Sequence, residues 1–97
     1  MRARRAQERG NEALKRGAPF YYRQASTFYS QALEQRSGDA AQNSVYYANR
    51  AAAQLQLRNW GRALADARAA VALNGTNVKA RALVSAWLAV RLAGTQD

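Results

Sequence analysis

Cysteine and histidine are both absent from this 97-residue chain, which has a single proline and six glycines. Without cysteine the chain has no disulfide, no thiolate nucleophile and no thiolate metal ligand. Without histidine it lacks the side chain that most often acts as a general base near neutral pH. The sequence therefore predicts no metal and no cofactor, and the absence of disulfides favours a cytoplasmic or nuclear compartment.

Carboxylates are also sparse, and no two of them form a convincing catalytic pair in a predicted cleft. They are Glu8, Glu12, Glu34, Asp39, Asp66 and Asp97. The sequence contains no glycine-rich phosphate loop and no nucleophile motif. We therefore expect that the protein is not an enzyme and has no small-molecule substrate.

Long apolar runs are missing, since no stretch approaches the roughly 18 residues that a membrane helix needs. The basic start at residues 1–5 is not followed by an apolar segment, so we predict neither a signal peptide nor a membrane partner. Charge is abundant but one-sided, with 15 Lys and Arg against six Asp and Glu and a net charge of +9. Such an excess attracts nucleic acid, acidic lipid or an acidic peptide, and the charge alone does not choose among them.

Alanine and the spacing of apolar residues predict an all-α chain. Hydrophobic residues make up 48% of the sequence, and much of that fraction is alanine, the strongest helix former. Apolar periodicity and chain-breaking residues mark five helices, at about 2–16, 20–35, 43–57, 60–73 and 78–93. We expect Gly75 to end the fourth helix in a left-handed conformation, and Thr76 or Asn77 to cap the fifth. Short connections between these segments predict antiparallel helical hairpins.

An internal repeat relates the second and fourth helices. Ala25, Tyr29 and Ala32 are spaced by four and then three residues, and the same spacing recurs later in three alanines. Each set lies on one helix face, where small residues let helices cross closely. Larger residues are expected to fill the gaps between helices: Leu14, Tyr29, Leu33, Leu55, Trp60, Leu64, Leu73 and Leu88.

Several segments carry a family resemblance. Residues 9–14 resemble the opening of a first tetratricopeptide repeat, and residues 46–53 resemble the second repeat of clamp-type tetratricopeptide domains, which hold acidic chaperone tails. Residues 62–67 and 77–80 continue the pattern in register. Residues 41–50, followed by Leu-Arg-Asn-Trp, are similar to the co-chaperone subfamily typified by tetratricopeptide repeat domain protein four.

The resemblance implies tetratricopeptide-repeat hairpins stacked as a short right-handed solenoid of about five helices. A single domain is expected over 1–97, with repeat one at about 3–36 and repeat two at about 43–76. The segment at about 78–94 is expected to be the first helix of a third repeat or a cap. Each hairpin needs a neighbour to bury its apolar face.

The resemblance also implies a peptide-binding groove lined by the first helix of each hairpin. Clamp domains use five positions there, occupied by two lysines, two asparagines and an arginine. Asn11, Asn49 and Lys79 match three of them, whereas Gln7 and Leu83 stand where a lysine and the arginine are expected. Arg4 lies one turn before Gln7 and is a partial substitute. The candidate peptide-binding residues are Arg4, Gln7, Asn11, Asn49, Lys79 and Leu83.

Each candidate also has a purely structural interpretation. Asn11 is a plausible bridge between helices, Asn49 and Arg50 suit packing between repeats, and Lys79 suits a solvated first turn. Paired tyrosines are interpreted as helix-packing residues rather than as residues that stack on bases: Tyr21, Tyr22, Tyr46 and Tyr47.

Three functions remain open at this point. The resemblance favours a chaperone adaptor that binds an acidic C-terminal tail of heat-shock protein 90 or 70. The departures at Gln7 and Leu83 favour a scaffold that binds another protein segment, such as an apolar tail or a helix. Nucleic-acid binding ranks third, because the cations are scattered and no stacking or reading motif accompanies them.

Overall fold

The computed structural model describes residues 2–94, so Met1 and residues 95–97 at the ends of the expected domain lie outside the described residues. Within residues 2–94 the regular structure consists of five α-helices and no strand. They are α1 (Arg2–Arg16), α2 (Pro19–Glu34), α3 (Ala40–Gln56), α4 (Trp60–Leu73) and α5 (Val78–Gly94). The predicted all-α fold is confirmed.

The start of α3 differs from the expected position by three residues. The sequence predicts a polar loop up to Gln42, but α3 begins at Ala40. The reason is Asp39, whose side chain accepts a hydrogen bond from the backbone nitrogen of Gln42 at 3.1 Å and so caps the helix. Arg36 turns the chain before this cap with a φ of 52°.

The turn between α4 and α5 also differs in detail. The expectation that Gly75 is left-handed is wrong, because Gly75 does not have a positive φ. Among the described residues the glycine with a positive φ is Gly17, at the end of α1. Asn77 does cap α5, since its Oδ1 accepts a hydrogen bond from the backbone nitrogen of Ala80 at 3.1 Å. Thr76 instead donates its hydroxyl to Asn74 within the turn.

Neighbouring helices are antiparallel and pack through small residues. Between α1 and α2, a Cβ added to Gly10 would lie 2.6 Å from the ring of Tyr29, so this crossing requires glycine. The buried core is mostly alanine, with Tyr29 and Tyr46 as its large members. Close helix approach on alanine and glycine is what the internal repeat predicts.

The five helices stack in two layers. Antiparallel contacts join α1 to α2, α2 to α3, α3 to α4 and α4 to α5, while α3 and α5 also contact each other directly. Hydrogen bonds between α1 and α3 and between α3 and α5 join alternate helices into one layer. We call the surface of this layer the α1–α3–α5 face; α2 and α4 form the other layer.

Three large residues that were expected to fill gaps between helices are exposed instead. Trp60, Leu73 and Leu88 have exposed fractions of 37%, 40% and 48%. Leu88 lies on α5, whose main contacts are with α3 and α4. The prediction fails at these positions because spacing identifies an apolar residue but not whether a neighbouring helix covers it.

A polar network ties the two hairpins together. Arg50 on α3 forms a two-point ion pair with Asp66 on α4, with both N···O distances at 2.7 Å. Its third nitrogen donates to the Ser30 hydroxyl on α2 at 3.0 Å. One turn further along α3, Gln54 donates to Ser26 at 3.1 Å. These bonds fix the axial position of α3 between α2 and α4.

Candidate peptide-binding face

Polar side chains from three helices line the α1–α3–α5 face. Gln7 and Asn11 lie one turn apart on α1, Gln42 and Asn49 lie two turns apart on α3, and Lys79 lies in the first turn of α5. These spacings place the side chains of each helix on a single side of it. We call these five residues the polar row.

The shortest hydrogen bond within the polar row joins α3 to α5. The Lys79 ammonium donates a hydrogen bond to Asn49 Oδ1 at 2.6 Å. Lysine has donors and no acceptor, so the atom facing it must be the oxygen of the amide rather than the nitrogen. Asn49 is buried, and its orientation leaves the amide nitrogen to donate elsewhere.

Lys79 lacks an acidic partner within residues 2–94, where the ion pairs are Lys15–Glu12 and Arg50–Asp66. Much of the Lys79 side chain is exposed. Burial of its ammonium end nevertheless lowers its pKa from the usual 10.5. A partly desolvated cation without a carboxylate is stabilised by an anion that binds beside it.

Asn11 is oriented by the core. The buried hydroxyl of Tyr29 donates a hydrogen bond to Asn11 Oδ1 at 2.7 Å. Burial raises the pKa of Tyr29 to about 12, so the phenol keeps its proton and remains a donor across the physiological range. The amide nitrogen of Asn11, which is exposed, is thereby left to donate to a ligand.

Gln7 is held by a neutral partner. Gln42 on α3 donates its side-chain nitrogen to Gln7 Oε1 at 3.2 Å, which links α1 to α3. This end of the polar row therefore presents amide groups without formal charge. It can donate hydrogen bonds to a carbonyl or a carboxylate but adds no ionic attraction.

The other two candidates lie apart from these hydrogen bonds. Leu83 follows Lys79 by one turn of α5 and packs, partly buried, against the alanine cluster of Ala48, Ala70 and Ala80. Arg4 is exposed and forms no ion pair within residues 2–94. The face therefore combines the cation Lys79, several amide donors and an apolar side chain, with Arg4 as a second, exposed cation near Gln7.

Two residues that shape this face were not predicted from the sequence. Gln42 was expected in a loop, because the cap at Asp39 was not recognised. Tyr29 was expected in the core, but its hydroxyl also orients Asn11. An aspartate three residues before Gln42 was the available signal for the first; only the tertiary structure reveals the second.

No family model matches the chain. Three known proteins are nevertheless similar to it over most of its length. The chain is 34% identical over 71 residues, or 73% of its length, to a tetratricopeptide repeat protein 4 homologue of Dictyostelium discoideum. It is 36% identical over 72 residues, or 74% of its length, to the Hsp70/Hsp90 co-chaperone CNS1 of Saccharomyces cerevisiae. The chain belongs to the tetratricopeptide-repeat family.

A third relative, sperm-associated antigen 1 of Homo sapiens, is 38% identical over 78 residues, which is 80% of the chain. The chain spans only 18%, 18% and 8% of the lengths of these three relatives. Its tetratricopeptide repeats are of the type found in tetratricopeptide repeat protein 4. These relatives support a role in protein–protein interaction.

Two other kinds of site, a membrane-spanning helix and a metal-binding cluster, are not found in the part of the chain that the structure describes. No helix within residues 2–94 is long and apolar enough to cross a membrane. The same residues contain no group of three or more acidic, histidine or cysteine side chains placed to hold a metal ion. The α1–α3–α5 face is the candidate functional site because it brings Lys79 and the amides of the polar row together.

Proposed function

We propose that this tetratricopeptide-repeat domain is a non-catalytic adaptor that binds a peptide segment of another protein on its α1–α3–α5 face. The proposed ligand is an acidic C-terminal tail, and the proposed source is a chaperone of the heat-shock protein 90 or 70 families. The proposed compartment is the cytoplasm, with the nucleus as a second location.

The observation that carries this proposal is the state of Lys79. Its ammonium is fixed by Asn49, has a lowered pKa because of local burial, and has no acidic partner within residues 2–94. A carboxylate placed beside it would form a charge-assisted hydrogen bond, which is roughly twice as strong as a neutral one. The amide nitrogens of Asn11 and Asn49 supply further donors.

The relatives support the choice of partner. One of them is named as an Hsp70/Hsp90 co-chaperone, and its match covers 74% of this chain. The net charge of +9 favours an acidic ligand in the approach of the two molecules. Preformed side chains that capture an anionic tail are an established mode of peptide recognition.

The test is calorimetric titration with a short peptide ending in Glu-Glu-Val-Asp, at low and near-physiological salt. We expect micromolar binding that is lost when the peptide's C-terminus is amidated. Lys79→Ala and Asn49→Ala should each weaken it by about tenfold or more, because each removes a bond to a charged group. Lys15→Ala is the matched control, since it removes an exposed lysine of α1 that pairs only loosely with Glu12 at 3.7 Å.

A second candidate function is a scaffold for a different protein segment. It is favoured by the neutral pair of Gln7 and Gln42 and by the apolar Leu83, since Gln7 and Leu83 occupy positions where clamp domains have cations. Absence of binding by the acidic peptide at both salt concentrations would reject the clamp-type adaptor and favour this scaffold.

A further inference from the structure

We propose that the α1–α3–α5 face selects a protein C-terminus whose last residue is apolar and whose terminal carboxylate is the one anionic group recognised. Lys79 takes the carboxylate, and Leu83 takes the apolar side chain. This inference rests on the proposed function of peptide binding by the same face. It goes beyond that function in ranking the ligands: a tail that ends in an apolar residue binds more tightly than one that ends in Asp.

The geometry of α5 brings the two contacts together. Lys79 and Leu83 are four residues apart on one helix, so their side chains lie on the same side about 6 Å apart at Cβ. A terminal carboxylate and the side chain of the same residue both branch from one Cα. A single apolar C-terminal residue can therefore contact both positions at once.

Leu83 disfavours a second carboxylate. It lies partly buried against the cluster of Ala48, Ala70 and Ala80, against which Tyr47 and Val71 also pack. The three alanine side chains offer methyl groups and no hydrogen-bond donor. A carboxylate placed there would lose water without gaining a partner from these alanines, which is costly for an ionised group. An apolar side chain placed there would bury further apolar surface instead.

The nearest arginine on α5 does not replace the cation that is missing at Leu83. Arg81 is two residues from Leu83, which places it on a different side of the helix. It lines a separate cavity of about 350 Å³ between α4 and α5, together with Arg68 and Val71. Arg81 therefore lies away from the polar row.

The members of the polar row at its far end are uncharged, and the nearest cation there, Arg4, is exposed to solvent one turn before Gln7. Gln42 and Gln7 form a neutral amide pair between α3 and α1. Uncharged amides suit the backbone carbonyls of a peptide that continues away from its C-terminus. Of the five residues in the polar row, Lys79 alone carries a formal charge. The row can therefore form an ion pair with one carboxylate but not with a second.

Three peptides of one length, with uncharged internal residues, test the selectivity by calorimetry. The first ends in leucine with a free carboxylate, the second ends in aspartate with a free carboxylate, and the third is the first peptide amidated. We expect the leucine peptide to bind about tenfold more tightly than the aspartate peptide. The amidated peptide should not bind measurably. This comparison needs no variant and so does not depend on one folding.

Leu83→Arg should reverse the order of the first two peptides, because it adds a donor for the aspartate side chain and removes the apolar contact. Ala89→Arg is the matched control. It adds the same charge at an exposed position of α5, six residues along the helix, and should leave the order unchanged. Circular dichroism establishes that both variants are folded.

The failures of the two proposals are distinguishable. If the aspartate peptide binds as tightly as the leucine peptide, and Lys79→Ala abolishes both, then the selectivity is overturned and peptide binding by this face stands. If neither peptide binds and the acidic tail peptide also fails, both proposals are overturned.

Discussion

Gly10 shows how one residue sets the distance between two helices. A Cβ there would lie 2.6 Å from the ring of Tyr29, which is fully buried. Overpacking of this kind costs about 1–3 kcal/mol, whereas replacing a helical glycine by alanine gains about 1 kcal/mol. We therefore expect Gly10→Ala to lower the free energy of unfolding by up to about 2 kcal/mol in chemical denaturation.

Gly61 provides the control for this prediction. It lies in α4, and a Cβ added to it would have no atom of a neighbouring group within 4 Å, so Gly61→Ala gains helix propensity without a clash. We expect that variant to be more stable than the parent protein by up to about 1 kcal/mol. Equal effects of the two substitutions would contradict a tight crossing at Gly10.

Lys79 predicts a pH dependence of peptide binding. Its pKa is lowered in the free protein, and a bound carboxylate raises it again. Affinity for the acidic peptide should therefore be constant below the free-state pKa and fall as the pH rises through it towards 10.5. Calorimetric titrations from neutral pH upward measure this loss.

Lys79→Arg separates this effect from other titrations, because arginine stays charged throughout that range. The variant should bind with an affinity that changes little over the same pH values. A parallel decline in both proteins would assign the loss to another group. The stability of the ligand-free protein should change with pH in the opposite direction to the affinity. Between the lowered pKa of Lys79 and 10.5 the unfolded chain binds more protons than the folded chain, so the free energy of unfolding rises with pH.

At the scale of helices, the ion pair between Arg50 and Asp66 holds α3 against α4. Both side chains are mostly buried, at 24% and 10% exposure. The Asp66 hydrogen bond raises the pKa of Arg50 further. Asp66→Ala leaves a buried cation without its partner, so we expect a loss of about 3–5 kcal/mol in the free energy of unfolding.

A double substitution distinguishes the pair from simple packing. Arg50→Met combined with Asp66→Leu removes both charges and should recover much of the stability lost in Asp66→Ala. Lys15→Ala breaks the exposed pair with Glu12, whose side chains are 76% and 73% exposed, and should change stability by at most about 0.5 kcal/mol. The prediction is contradicted if the double variant is less stable than Asp66→Ala.

At the scale of the whole molecule, the five helices differ in how many neighbouring helices they pack against. α3 packs against α2, α4 and α5, whereas α5 packs against α3 and α4 and leaves Leu88 and Val90 more than 40% exposed. Helices with fewer buried contacts open more easily. We expect backbone amides of α5 to exchange with deuterium faster than those of α3.

Peptide binding supplies the control for this exchange experiment. A ligand that contacts Lys79 should slow exchange in the first turns of α5 and leave α2 unchanged, because α2 lies in the other layer. Uniform protection of α3 and α5 in the free protein would contradict the expected difference between these helices. The exchange rates of α5 in the free protein would also show whether α5 is stably folded, and so holds Lys79 in position, before the ligand binds.

The local sequence by itself determined the helices. Alanine content, periodicity and chain-breaking residues predicted five helices, and α1 and α4 begin and end where they were expected. Helix formation depends on neighbours in the chain, so it is readable without the fold. The errors fall at the start of α3 and in the turn after α4, where a polar side chain rather than a glycine satisfies the backbone: Asp39 in one case and Asn74 in the other.

Only the tertiary structure decided what the polar side chains do. The sequence identified Asn11, Asn49 and Lys79 by position, but not that Tyr29 orients Asn11 or that Lys79 bonds Asn49 across 30 residues. Likewise, spacing did not reveal that Arg50 pairs with Asp66 or that Trp60 is exposed. Partners distant in the chain, burial and desolvation depend on which helices meet, and that is fixed only when the hairpins stack.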